Sequence, residues 1–230
     1  ALAQPAGAAP LVQPGALDHA AQGQIPQAFV FLRGERGMDR SRLKEEDEKL
    51  RESRLSGEAV FEGRLLHVYR DRVKLPDGRE STREYLRHPG AAAVVLLKEG
   101  KILLERQWRY PLGRAFWEVP AGKLEAGEDP ALCAARELEE ETGYASDTWT
   151  PLGTICPGIG YSNEVISLYL AENPREGSRH LDPGEFLDLA WIPFEEAVRM
   201  AETGEIDDAK TIGALFRAEK CLEKRTGIKR

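Results

Sequence analysis

The segment from Gly122 to Tyr144, GKLEAGEDPALCAARELEEETGY, constrains this 230-residue chain more than any other. It spells one helix with both ends marked. Asp129 can serve as N-cap, Pro130 suits a first helical position that needs no N–H, and Gly143 can end the helix in a left-handed conformation. Ala131, Ala134, Ala135 and Leu138 give it a small apolar face, as on a helix pressed against a sheet. Glu137, Glu140 and Glu141 recur at i, i+3 and i+4, so their carboxylates share one face. Like charges that close repel unless a cation lies among them. Hard divalent ions such as Mg²⁺ prefer carboxylate oxygens and keep waters that substrate phosphates can replace. The pattern therefore predicts a metal-dependent phosphate site, against the alternative of a solvated acidic stripe.

Around that helix the chain alternates strand and turn signals. Ala59–Phe61, Leu65–Tyr69 and Arg72–Leu75 are short and β-rich; Pro76-Asp77-Gly78 is a turn, and residues 81–86 form the returning strand. These predict a small antiparallel sheet ahead of the main domain. The unbroken apolar run 91–97 reads as a strand buried on both faces, hairpinned through Lys98-Glu99-Gly100 into 101–107. Further strands are expected at 149–155, 165–171 and 186–191, a helix from Pro193 through Met200, and a terminal helix after Thr211. Strands flanked by helices predict an α/β (α+β) fold, an α/β/α sandwich around a mixed sheet. Aromatics on a strand, such as Trp108 and Tyr110, are expected in the core rather than stacked on a ligand.

Composition narrows the class. A net charge of -7 gives no electrostatic footprint for nucleic acid or an anionic membrane. Cys133, Cys156 and Cys221 are odd in number and widely spaced, which disfavours a disulfide framework or zinc site and predicts a cytoplasmic protein. No apolar run approaches the roughly 20 residues that span a bilayer. Residues 1–37 are rich in Ala, Pro, Gly and Gln and nearly uncharged, so they are expected to be disordered. Charge density rises abruptly at Met38, which marks that residue as the expected start and 1–37 as upstream, non-native sequence. The expected division is then 38–88 for a lead-in and small sheet, and 89–230 for the catalytic domain.

The helical segment resembles the signature of the Nudix hydrolases, G-x5-E-x7-R-E-U-x-E-E-x-G-U, with U a bulky apolar residue. Gly122, Glu128, Arg136, Glu137, Leu138, Glu140, Glu141 and Gly143 match in register. Tyr144 stands where the family usually has an aliphatic residue. Over residues 55–220 the chain is similar to the ADP-ribose pyrophosphatase branch, through 106–111 (RQWRYP), 117–125 (WEVPAGKLE), Pro157-Gly158 with Ser162-Asn163-Glu164, and Asp208-Ala209-Lys210-Thr211.

The resemblance implies Mg²⁺-dependent hydrolysis of a nucleoside diphosphate sugar, ADP-ribose giving AMP and ribose 5-phosphate, with Mn²⁺ as a substitute metal. GDP-mannose, ADP-glucose, RNA 5′ ends and a non-catalytic nucleotide-binding module are the alternatives. It implies Glu137, Glu141 and the carbonyl of Ala121 as principal metal ligands, with Glu140 in support. Arg136 and Glu128 would pair to orient the loop. Arg106 and Arg109 can supply positive charge for the phosphates. Glu118 and Glu164 match substrate-contacting positions, Glu118 having a salt bridge to a nearby arginine as its alternative. The general base, or a further metal ligand, falls on the loop Leu181-Asp182-Pro183-Gly184-Glu185. Glu185 is the first choice there; Pro183 stands where relatives carry another acid, which leaves Asp182 as a competitor. In this branch the N-terminal sheet also builds a homodimer.

Overall fold

The structure, a computed structural model, describes residues 46–227. Segment 1–37, the expected start at Met38 and the first part of the lead-in lie outside those residues.

Three strands, Ser53–Glu62 (β1), His67–Lys74 (β2) and Glu80–Leu86 (β3), form one antiparallel sheet of order β1-β2-β3. The expected break inside 65–75 does not occur, because β2 pairs continuously with β3 from Val68 to Lys74. β1 begins six residues earlier than its apolar residues suggest. Every residue of it is exposed, so main-chain pairing and cross-strand ion pairs such as Arg70–Glu58 at 2.6 Å hold it in place of buried side chains. The turn at Pro76-Asp77-Gly78 closes with the Leu75 N–H donating to the Arg79 carbonyl at 2.7 Å, with Gly78 at φ +87°.

The second sheet starts with the apolar run, Ala91–Lys98 (β4), followed by Lys101–Arg109 (β5). Glu99 and Gly100 both take positive φ, +50° and +75°, the conformation a tight two-residue hairpin requires. β4 and β5 stay paired only at Leu97↔Ile102 and Lys98↔Lys101, and then part. Arg114–Glu118 (β6) pairs with β5, while Ala121–Lys123 (β7) pairs with β4. The signature helix Pro130–Thr142 (α1) follows, then Tyr144–Ala145 (β8), Thr148–Ile155 (β9), Ile166–Glu172 (β10), Arg175–Glu176 (β11) and Leu187–Pro193 (β12). Phe194–Thr203 (α2) and Ala209–Thr226 (α3) complete the described chain. The main sheet runs β12-β5-β4-β10-β9, with β10 parallel to β4 and the other pairings antiparallel. It is a mixed sheet.

β4 is buried on both faces, as its unbroken apolarity predicts. Ala91, Ala93 and Val95 pack with Ala197, Ala214 and Leu215 from α2 and α3. Ala92, Val94 and Leu96 pack with Cys133, Ala134 and Leu138 from α1. The result is the expected α/β/α sandwich. Leu138 is fully buried, so truncating it to alanine would cost about 2–5 kcal/mol. Among the described residues no helix is long and apolar enough to cross a membrane.

Candidate active site

The helix that carries the acids is fixed at both ends by its own sequence. Asp129 accepts the Ala131 N–H at 2.8 Å, and Gly143 takes φ +74° while its N–H donates to the Glu139 carbonyl at 2.8 Å. Cys133, Ala134 and Leu138 face the sheet, which turns Glu137, Glu140 and Glu141 toward the tip where β7 enters.

Each of the three acids meets a different partner. Glu141 is 6% exposed and accepts the Ala121 N–H at 2.9 Å. Glu137 lies so close to Gly122 that a Cβ there would sit 1.9 Å from its carboxyl carbon. Only glycine fits, which is the physical reason for that residue of the signature. Arg136 Nη1 reaches both Glu137 Oε1 at 2.8 Å and Glu140 Oε2 at 2.9 Å. The other edge of the guanidinium holds Glu128 at 2.9 and 3.0 Å. Arg136 thus pairs with Glu128 as expected and also neutralises two of the helix acids. The hydrogen bonds from Arg136 hold the Glu128 carboxyl down at about 2. Burial pushes the Glu137 and Glu141 carboxyls up, and for Glu141 the neighbouring Glu105 adds to the shift. Both would favour a cation nearby.

The donor chemistry fits a hard divalent cation: three carboxylates on one helix face, with Ala121 and Gly122 pressed against two of them. Among the described residues no three acidic, His or Cys side chains already converge on one metal-sized point. Glu137 and Glu140 are turned to Arg136, and Glu141 to an amide. An ion would take them from those donors.

All three acids line one cleft of about 650 Å³. Arg109 and Lys210 line the same cleft, as do Lys123 and Arg136, and the loop residues His180, Asp182 and Glu185 reach it too. Within that loop the Glu185 N–H donates to the Asp182 carbonyl at 3.0 Å, so both competing acids reach the cleft from one tight turn. Glu164 lies where this cleft meets two smaller ones and pairs with His88 at 3.7 Å.

Two expectations need correction, and a third meets its stated alternative. Arg106 does not line the cleft: strand alternation sends it to the other face of β5, where its guanidinium lies 5.2 Å from the Trp117 ring centroid. Glu118 forms the salt bridge stated as its alternative, and it also lines a smaller cleft beside Arg109 and Lys210. Its side chain is 4% exposed, accepts two bonds from Arg109 and is ion-paired to Lys210 as well. Trp108 and Tyr110 are exposed rather than core: Trp108 is still in β5, paired with Ala115 of β6, while Tyr110 opens the 3₁₀ turn Tyr110–Leu112.

Two residues escaped the sequence reading. Lys210, at the start of α3, is a further cation of the cleft beside Arg109; it was visible only as part of a matched run. Glu105 is a buried acid on β5, 3% exposed, with Oε1 unpartnered and Glu141 as its neighbour. An acid directly after the apolar run Ile102–Leu104, within a paired strand, was the available signal.

Comparison with known proteins adds to this geometry. The model of the NUDIX domain matches residues 86–215, and that of the nucleoside diphosphate sugar hydrolase N-terminal domain matches residues 52–86. The chain is 41% identical over 169 residues to a Bacillus subtilis protein named ADP-ribose pyrophosphatase, covering 72% of this chain and 91% of the relative. It is also 41% identical over 167 residues to a Bacillus methanolicus protein named methanol dehydrogenase activator, covering 71% and 90%. A solved structure described as an ADP compounds hydrolase superposes with a TM-score of 0.71 at 21% identity, covering 78% of this chain and 98% of that one. That likeness speaks for the fold.

Proposed function

The chain belongs to the NUDIX family, and from that premise we propose that this Nudix hydrolase cleaves the pyrophosphate bond of ADP-ribose or a close nucleoside diphosphate sugar. The observation that carries the reading is one cleft lined by both metal-type acids and cations: Glu137, Glu140 and Glu141 together with Arg109 and Lys210. A diphosphate is anionic and needs cations on both sides.

Mg²⁺, or Mn²⁺ in its place, would be held by Glu137, Glu140, Glu141 and the carbonyl oxygen of Ala121, with Glu185 as a further ligand if it is not the base. When bound, such ions polarise phosphoryl oxygens and lower the pKa of coordinated water. Arg109 and Lys210 bind and orient the diphosphate. Glu118 holds both of them in place from beneath, so neither has to be ordered by substrate. Glu185, or Asp182 beside it, accepts the proton of the attacking water. The water oxygen bonds to one phosphorus, the bridging oxygen leaves with the other phosphate, and AMP and ribose 5-phosphate result. Glu164 lies where the cleft widens and suits contact with the sugar or nucleoside end.

A homodimer through the N-terminal sheet belongs to the same reading. Nothing pairs with the outer edge of β1 among the described residues, and Leu55, Val60 and Phe61 on it are each about half exposed. A matching edge of a second copy would cover them.

The test is a panel of ADP-ribose, ADP-glucose and GDP-mannose with Mg²⁺, ranked by kcat/KM, with products identified in ¹⁸O-labelled water. AMP and ribose 5-phosphate carrying one ¹⁸O are expected, with ADP-ribose preferred. A strong preference for GDP-mannose would overturn the choice of sugar. No turnover of any member would leave a nucleotide-binding module instead.

A further inference from the structure

The segment 177–180 crosses the C-terminal turn of α1 as a strap, and its bonds go to carbonyls that a helix end leaves without partners. The Gly177 N–H donates to the Gly143 carbonyl at 2.6 Å, and the His180 N–H to that of Glu140 at 2.9 Å. Between them Arg179 spans two separate elements. Its Nε donates to the Glu141 carbonyl at 2.6 Å and its Nη2 to the Leu187 carbonyl at 2.8 Å. One guanidinium therefore ties the last turn of the acidic helix to the first residue of β12, bracketing the loop that carries Asp182 and Glu185.

That loop needs a tie. Asp182 and Glu185 line the same cleft as Glu137, Glu140 and Glu141. Glu185 is close enough to Glu137 and Glu141 to help push both carboxyls up. Repulsion among these carboxylates would push the loop outward. Arg179 opposes this twice over. It donates in two fixed directions, which only a planar guanidinium can do. Its charge also sits at the negative end of the helix dipole. Both acceptors are main-chain oxygens, so the tie consumes none of the carboxylates the cleft uses.

We propose that Arg179 is a positioning residue: it holds the loop bearing Asp182 and Glu185 against the acidic helix, so that the proton-accepting carboxylate faces the phosphates. This rests on the hydrolytic reading of the site. Arg179 touches neither substrate nor reacting atoms in it.

Arg179→Ala and Arg179→Lys test the idea in the full chain, by steady-state kinetics on ADP-ribose with Mg²⁺ and by amide hydrogen exchange without substrate. Both variants are expected to lose about 10- to 100-fold in kcat, as supporting residues around a metal site do. KM should move by less than about threefold, because the phosphate-binding wall is untouched. Exchange should quicken in 180–186 and stay unchanged in 130–138. Lysine keeps the charge but cannot reach both carbonyls, so a lysine variant with wild-type kcat would overturn the bridging role. So would a folded alanine variant with wild-type kcat, or exchange that quickens equally in the helix. If the wild type itself turned over nothing, the hydrolytic reading would fail, while exchange in 180–186 would still decide whether Arg179 holds the loop.

Discussion

Arg109 and Glu118 form a two-point ion pair, Nε to Oε1 at 2.6 Å and Nη2 to Oε2 at 2.7 Å, with the carboxylate buried under the cleft wall. Burial alone would raise the Glu118 carboxyl. Arg109 and Lys210 outweigh it and hold the group below the usual carboxylate range. The folded state thus binds this proton more weakly than the unfolded chain. The pair's stabilisation is complete above the unfolded value, about 4.3, and is lost as pH falls through the lower folded value. Glu118→Gln should therefore cost about 2–3 kcal/mol near neutral pH, below the full cost of breaking a buried pair because Arg109 stays half-exposed. Thermal melts of both proteins should show that gap constant from pH 8 to about 5.5 and narrowing in acid below about 4.3.

Lys210 faces the phosphates in the proposed complex. Lys210→Met should lower kcat/KM by roughly 10- to 100-fold, mainly through KM, the size of one charge-assisted hydrogen bond. An unchanged KM for ADP-ribose would remove Lys210 from the binding wall.

Glu141→Gln keeps an oxygen for the Ala121 N–H and removes a charge from a buried position. The metal-free variant should melt no lower than the wild type. Its kcat should fall about 10²- to 10³-fold, from the loss of several kcal/mol of metal-assisted stabilisation. Mg²⁺ should raise the Tm of the wild type, and that rise should shrink or vanish in the variant, which calorimetry would read directly.

Gly122→Ala tests the cradle around Glu137. The new Cβ would lie 1.9 Å from the Glu137 carboxyl carbon, so the side chain must swing away. Mn²⁺ affinity, followed by electron paramagnetic resonance, should weaken at least about tenfold while circular dichroism stays native.

The two loop acids can be separated by their pH profiles. The variant that removes the base, Glu185→Gln or Asp182→Asn, should lose about 10²–10⁴ in kcat and flatten the acid limb of the profile. The other variant should keep that limb. Two intact limbs would place the base elsewhere.

The sequence announces those parts of the fold whose own side chains do the holding. The caps of α1 are Asp129 and Gly143, and the doubly buried β4 is an unbroken apolar run; both are local facts. β1 was half missed because its start is held by main-chain pairing and ion pairs between strands, which leave no hydrophobic alternation. In the site, the crowding of Glu137, Glu140 and Glu141 follows from helical spacing alone. The separation of Arg106 from Arg109 was equally available, since residues three apart on a strand face opposite ways. What Glu118 and Lys210 do was not: they meet across 92 residues, and only the folded sheet brings β6 to the start of α3.

The parting of β4 and β5 has a consequence for protein engineering. β6 and β7 fill the gap like a wedge, each hydrogen-bonded to a different half of the opened hairpin. A residue inserted or deleted at Val119 or Pro120 has no free margin into which it can slide, and would shift Ala121 and Gly122 away from the acids they touch. The exposed turn at Pro76-Asp77-Gly78, in the separate N-terminal sheet, is bound to no such frame. Tags, reporter loops or length variation are best grafted at that turn.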